Sequence, residues 1–126
     1  EELLDELKGK YRLYLVTTGQ PDIQKKKLDL ARLERFFEPV EYVDYRSGQN
    51  KKMAIEKILL NYALRPEEIL CVGNRLDDEI QAGNALGLDT CLMKYGEHVH
   101  QTPDFSTGRP TFTIRRITEL KAACRL

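Results

Sequence analysis

The sequence is poor in several things that would narrow its chemistry directly. Its 126 residues carry 20 Lys+Arg against 20 Asp+Glu, so net charge is zero. No run of five like charges breaks that balance. Such a chain has no electrostatic reason to seek nucleic acid or an anionic membrane, and any anion it binds must be held by local geometry. No apolar run approaches the ~18–20 residues a membrane span needs. The start, EELLDELKGK, lacks the basic-then-apolar pattern of a signal peptide. Tryptophan is missing, and the three cysteines form no CxxC pair. Cys71, Cys91 and Cys124 each stand among apolar neighbours (LCVG, TCLM, AACR). They read as small buried hydrophobes in a reducing, cytoplasmic setting, not as a metal or disulfide framework.

What is present is a regular change of period. Short runs rich in β-formers recur at Tyr11–Val16, Glu41–Tyr45, Ile69–Val72 and Thr90–Tyr95, with a weaker one at Thr111–Ile114. Helical patterns lie between them. Ile23, Leu30, Leu33 and Phe37 share one stripe; Ile55, Ile58, Leu59 and Tyr62 follow i, i+3, i+4, i+7. From about Asp77 to Leu86, Ile80 is joined by the small residues Ala82, Gly83 and Ala85, which would let a helix pack closely on a sheet. A last stripe combines Ile117, Leu120 and Cys124. Strands alternating with helices imply βαβ units with right-handed crossovers, hence an α/β fold with a doubly wound parallel sheet in one domain. Gly96–Pro110 is the one long irregular stretch.

In such a sheet ligands bind beyond the carboxyl ends of the strands, where the following helices point their N-termini. The first strand run ends VTTGQPD, offering the hydroxyls of Thr17 and Thr18, then Gly19 and a helix start. An ordinary N-cap and turn would have the same composition. After the second, RSGQNKK brings Lys51 and Lys52 to a helix start, where lysine opposes the dipole unless an anion is present. After the third, VGNRLDDEIQAG supplies Asn74, Asp77, Asp78 and Glu79, oxygen donors suited to a hard cation, although acids in a first turn also complement the dipole unaided. His98 and His100 flank Val99 with no ligand partner at suitable spacing and read as surface residues.

Hydroxyl, lysine and acids in that order on three successive strand ends resemble the haloacid dehalogenase (HAD) superfamily of Mg2+-dependent phosphohydrolases. The matching segments are LYLVTTG, GQNKKMAIEKIL and VGNRLDDEIQAGNALG, the last being long and specific. The resemblance implies a Rossmann-like three-layer core and a small phosphorylated substrate. Thr17 would contact the phosphate, with Thr18 and Gly19 beside it, and Lys51 would fit the lysine position better than Lys52. Mg2+ would be held near Asn74 and Asp78, with Asp77 and Glu79 as substitutes, Glu79 if Ile80 sets the register.

Two departures from the family pattern accompany the match. Asn74 stands where the family has an acid. The Asp-x-Asp segment that supplies the family's nucleophile, on a strand between those ending at Val16 and Val72, does not occur in this sequence. Since the chain does not open with Met, the expectation is that this strand and the family's cap lie upstream of it. The sheet would then have an open position through which chains could associate. A non-catalytic binding or regulatory domain on the same scaffold is the alternative. A phospho-acceptor receiver domain has similar alternation, but Thr17-Thr18 stand where its acidic pair belongs.

Overall fold

A computed structural model describes residues 2–38 and 40–126. The elements run α1 (Glu2–Lys8), β1 (Leu15–Thr18), α2 (Pro21–Ala31), β2 (Val40–Val43), α3 (Lys51–Asn61), β3 (Leu70–Gly73), α4 (Gln81–Ala85), β4 (Asp89–Met93), β5 (Phe112–Ile114) and α5 (Leu120–Cys124). The alternation expected from the sequence is therefore present, and every strand pairing is parallel. The strands form two sheets, β1-β2 and β3-β4-β5. Among the described residues no strand pairs with both β1 and β3, so the continuous sheet suggested by the sequence is observed in two parts. The chain divides into two compact units, residues 1–54 and 55–126, the division falling inside α3 after its first turn.

In the first unit Leu15 lies opposite Val40, and Thr18 opposite Val43. Leu7, Phe36 and Val43 are buried, with the Arg35 guanidinium 4.3 Å from the Phe36 ring centre. The α2 stripe departs from its sequence reading. Arg32 turns into the left-handed region (φ 55°) and its N–H and that of Leu33 close back on Asp29 and Leu28, ending the helix at Ala31. Leu33 and Phe37 thus lie beyond the helix, and Ile23 and Leu30 are 50% and 86% exposed.

Among the described residues, most of the buried apolar side chains lie in the second unit. Ile55, Ala82 and Leu88 form one buried cluster with Leu59, Ile69, Cys71 and Leu86 against it; Leu76, Ile80 and Leu92 form another. The period-3.6 pattern of α3 is borne out, since Ile55 and Ile58 are buried. Gly83 is small for a reason: a Cβ there would sit 2.8 Å from Thr90 Cγ2 and 3.2 Å from Cys71 Cβ, so helix and sheet touch backbone to side chain. Ala85, expected on the same face, is exposed. Cys91 and Cys124 are buried and Cys71 half-buried, all as free thiols. Ile117 precedes α5 in a short 3-10 turn and is 45% exposed, whereas Leu120 and Cys124 are inside.

Candidate active site

The threonine motif closes β1 and the acidic motif follows directly on β3, while the lysine motif comes after a short turn beyond β2. In the first unit, Thr17 and Thr18 close β1, half-buried. Gly19 follows with φ 128°, a conformation other residues rarely adopt. Its N–H donates to Val43 O at 3.0 Å. That donor is thus committed to the backbone, and Gly19 contributes shape at the strand end, not an N–H for a phosphate. The N-cap of α2 is Gln20, whose side chain makes no capping hydrogen bond, with Pro21 at the first helical position. The sequence reading of an ordinary capped turn therefore does not apply here, and the positive end of α2 has no side-chain oxygen complementing it from the cap.

After β2, Asp44 is consumed locally: its Oδ1 accepts from Arg46 N at 3.0 Å and its own N–H donates to Gln49 Oε1 at 3.0 Å. Asn50 caps α3, its Oδ1 accepting from Met53 N at 2.9 Å. Lys51 then occupies the first helical position, half-buried, while Lys52 is exposed. A cation at a helix start runs against the dipole, so it is a position at which a bound anion would be complemented from two sides.

In the second unit the acidic motif does not continue as a plain α-helix. Leu76–Ile80 makes one wide π-type turn, Ile80 N donating to Arg75 O at 3.3 Å, with Asp77 at non-helical φ −86°, ψ 15°. Such turns recur at functional sites. The four oxygen-bearing residues of this turn separate by role. Glu79 folds back over Gly73, and its Oε1 accepts the N–H groups of Asn74 at 2.9 Å and Arg75 at 3.2 Å. A side chain on Gly73 would fall on Glu79 itself, which accounts for glycine there. Asp77 Oδ1 accepts from Arg75 Nε at 2.6 Å and from Gln101 Nε2 at 2.9 Å. These hydrogen bonds, Arg75's first, hold its carboxyl down to about 2. Asn74 donates through Nδ2 to Tyr95 O at 3.2 Å, which fixes its amide plane. Asp78 is half-buried in the same turn.

Of the residues named from sequence, Glu79 and Asp77 are thus engaged in building the turn, and the Asn74 amide is oriented by Tyr95. Amide and carboxylate oxygens are the donor type that Mg2+ takes, an ion commonly bound by one or two protein oxygens together with waters and substrate phosphate. Among the described residues no three His, Cys, Asp or Glu side chains gather as a metal cage, so further protein ligands would have to come from elsewhere. His98 and His100 stay outside any such group. Two residues that the sequence did not single out, Tyr95 and Gln101, tie the loop after β4 to this turn; they lie 21 and 24 to 25 positions from their partners, and no local pattern signals them.

A family model described as HAD-hydrolase-like matches residues 47–120. The chain belongs to the HAD-like hydrolase family. It is 31% identical over 125 residues to the HAD-hydrolase YfnB of Bacillus subtilis, covering 94% of this chain and 50% of that protein. It is 32% identical over 97 residues to a glyceraldehyde 3-phosphate phosphatase of Pyrococcus furiosus, covering 76% of this chain and 40% of that one. Among solved structures, magnesium-bound YfnB superposes with a TM-score of 0.80 at 28% identity, over 96% of this chain and 52% of that one. The L-2-haloacid dehalogenase of Xanthobacter autotrophicus gives 0.76 at 14% identity, over 98% of this chain and 58% of that one, a likeness of fold alone. This HAD-family chain spans about half the length of the relatives it matches. None of its described helices is long and apolar enough to cross a membrane.

Proposed function

We propose that this chain supplies the phosphate-binding and charge-stabilising residues of a Mg2+-dependent phosphomonoester hydrolase acting on a small phosphorylated substrate. The observation that carries the reading is positional. The hydroxyls of Thr17 and Thr18 close β1, the half-buried Lys51 opens the helix that comes next after β2, and the Asn74–Asp78 segment follows directly on β3, in the HAD order. Magnesium in the YfnB structure and the phosphatase name of the Pyrococcus relative support the same chemistry.

In this reading the Thr17 hydroxyl donates to a non-bridging phosphoryl oxygen, and Lys51 places its ammonium against the negative charge spread over the transferring group. The uncapped start of α2 adds a fixed positive dipole end. Asn74 and Asp78 would hold Mg2+, which when bound supplies Lewis-acid stabilisation of the phosphoryl oxygens. The attacking carboxylate would have to come from an Asp-x-Asp segment that this sequence does not contain; a covalent aspartyl-phosphate formed there would be hydrolysed with the second Asp as acid and base.

Hydrolysis of p-nitrophenyl phosphate and glyceraldehyde 3-phosphate by the full-length protein tests this. Loss of Lys51 or Thr17 as charge stabilisers should lower kcat by about 10²–10³. Thr17→Val, Lys51→Ala and Asp78→Asn as active as wild type would refute the assignment. One observation favours a second reading, a phospho-ligand binding domain without turnover: Asn74 brings one charge fewer to the cation than an acid would. Phosphate binding with no hydrolysis under any divalent cation would select it.

A further inference from the structure

Gly19, directly after β1, and Gly73, the last residue of β3, are each covered by a long polar side chain from the helical turn that follows. Over Gly73 it is Glu79, six positions on; over Gly19 it is Gln24, five positions on. The π-type turn at Leu76–Ile80 accounts for the extra residue, because α2 begins with an ordinary α-helical bond, Gln24 N donating to Gln20 O at 3.0 Å. A Cβ on Gly19 would lie 2.5 Å from Gln24 Nε2, 3.1 Å from its Cγ and 3.2 Å from its Cδ, so this side chain lies back along the strand end and not out in solvent. Gln24 is accordingly half-buried in a helix whose other residues, Leu28 aside, are exposed. The exchange of carboxylate for amide follows from the backbone. Glu79 accepts from the N–H groups of Asn74 and Arg75, the two residues after Gly73. The two residues after Gly19 are Gln20 and Pro21, and proline has no N–H, so a carboxylate there would lack one of its two donors. It would also bring a negative charge to the strand end proposed to receive phosphate.

We propose that Gln24 is a positioning residue for the β1 end: by packing over Gly19 it fixes the turn through which Thr17 and Thr18 pass into α2. This rests on the function proposed above and deepens it. Glycine leaves a chain unusually free to swing, and here it stands between the threonine hydroxyls and the helix. The N–H of Gly19 ties the turn to β2, donating to Val43 O at 3.0 Å, and the Gln20 side chain adds no cap. Gln24 supplies the contact from the helix side. Firm placement of the hydroxyls is what the proposed chemistry needs, since a misplacement on the order of 1 Å can cost about 10² in rate.

The test pairs steady-state hydrolysis of p-nitrophenyl phosphate by the full-length protein with amide exchange and thermal melts of the same variants. Gln24→Ala should lower kcat at least about tenfold with KM little changed. Exchange of the Gly19 amide should quicken in that variant at a melting temperature close to wild type, because alanine is a strong helix former and no residue of α2 is fully buried. Gln24→Met, which keeps the side chain's length and bulk without its amide, should hold both values near wild type. Unchanged Gly19 exchange in Gln24→Ala overturns the proposal, as does wild-type kcat there in a protein that loses activity with Thr17→Val. A Gln24→Met variant as impaired as Gln24→Ala overturns it too, by giving the amide a direct contact in place of a packing role. So does a Gln24→Ala variant that melts out, which would make the residue part of the fold's stability. Failure of the underlying reading looks different: Gly19 exchange responds to Gln24→Ala as expected, while Thr17→Val is as active as wild type.

Discussion

At the scale of single residues, the acidic turn owes its shape to Gly73 and Glu79 as much as to the aspartates. Glu79 accepts two backbone N–H groups only because Gly73 leaves space for it. Gly73→Ala should displace Glu79 and leave those donors without their acceptor, at a cost of about 1–3 kcal/mol. Chemical denaturation measures this, and Glu79→Gln, which keeps a carbonyl acceptor, should lose less than Glu79→Ala. Cys91 tests burial instead. Desolvation, reinforced by Cys124, pushes its thiol up to about 12 from an ordinary 9.0. Its folded pKa lies above the unfolded one, so its contribution to stability is complete below about pH 9 and falls away as pH rises toward 12. Iodoacetamide at pH 8 should label half-buried Cys71 first and reach Cys91 only on unfolding. The sequence showed that Asn74 and the three acids belong together. It could not assign their tasks, because the deciding partners, Tyr95 and Gln101, are distant along the chain.

At the scale of elements, two helices with similar apolar patterns behave differently. In α3 the stripe is buried, so Ile55→Ala should destabilise the fold by about 2–5 kcal/mol. In α2 Leu30 is 86% exposed, so Leu30→Ala should stay within about 0.5 kcal/mol of wild type. Equal losses in urea titrations would return the α2 stripe to the core. Periodicity located both helices and all five strands, since β-branched runs and 3.6-residue spacing are local properties. It did not foresee that Arg32 would turn left-handed and cut the α2 stripe short, nor that the acidic motif would open a π-type turn, because both depend on surroundings that a one-dimensional pattern does not contain. The threonine and acidic motifs lie at strand ends because parallel α/β topology places such segments there whatever the helix details.

At the scale of the molecule, the parallel strands fall into a pair and a triplet, and the two differ in what supports them. Two strands alone are marginal in water, whereas three with a packed apolar face can stand independently. The triplet has two buried clusters formed with or against its strands, with Cys91 fully buried and Leu92 4% exposed on its central strand. In the pair every residue of β1 is only half-buried. Unfolding of this chain should therefore proceed in stages instead of as one transition. Native-state hydrogen exchange should show the amides of Cys91 and Leu92 outlasting those of Thr17 and Thr18 by well over tenfold; equal protection would make the two units one cooperative body. The comparison also bears on function, because β1 pairs only with β2, and β3 only with β4, among the described residues, leaving one edge of each open. Val72 on β3 is 38% exposed, an apolar side chain on an edge strand. If the full-length protein places an Asp-x-Asp strand on those edges, exchange at Thr17 and Thr18 should slow there relative to this chain alone, and the residues proposed to hold phosphate would become rigid through the same pairing that brings them their nucleophile.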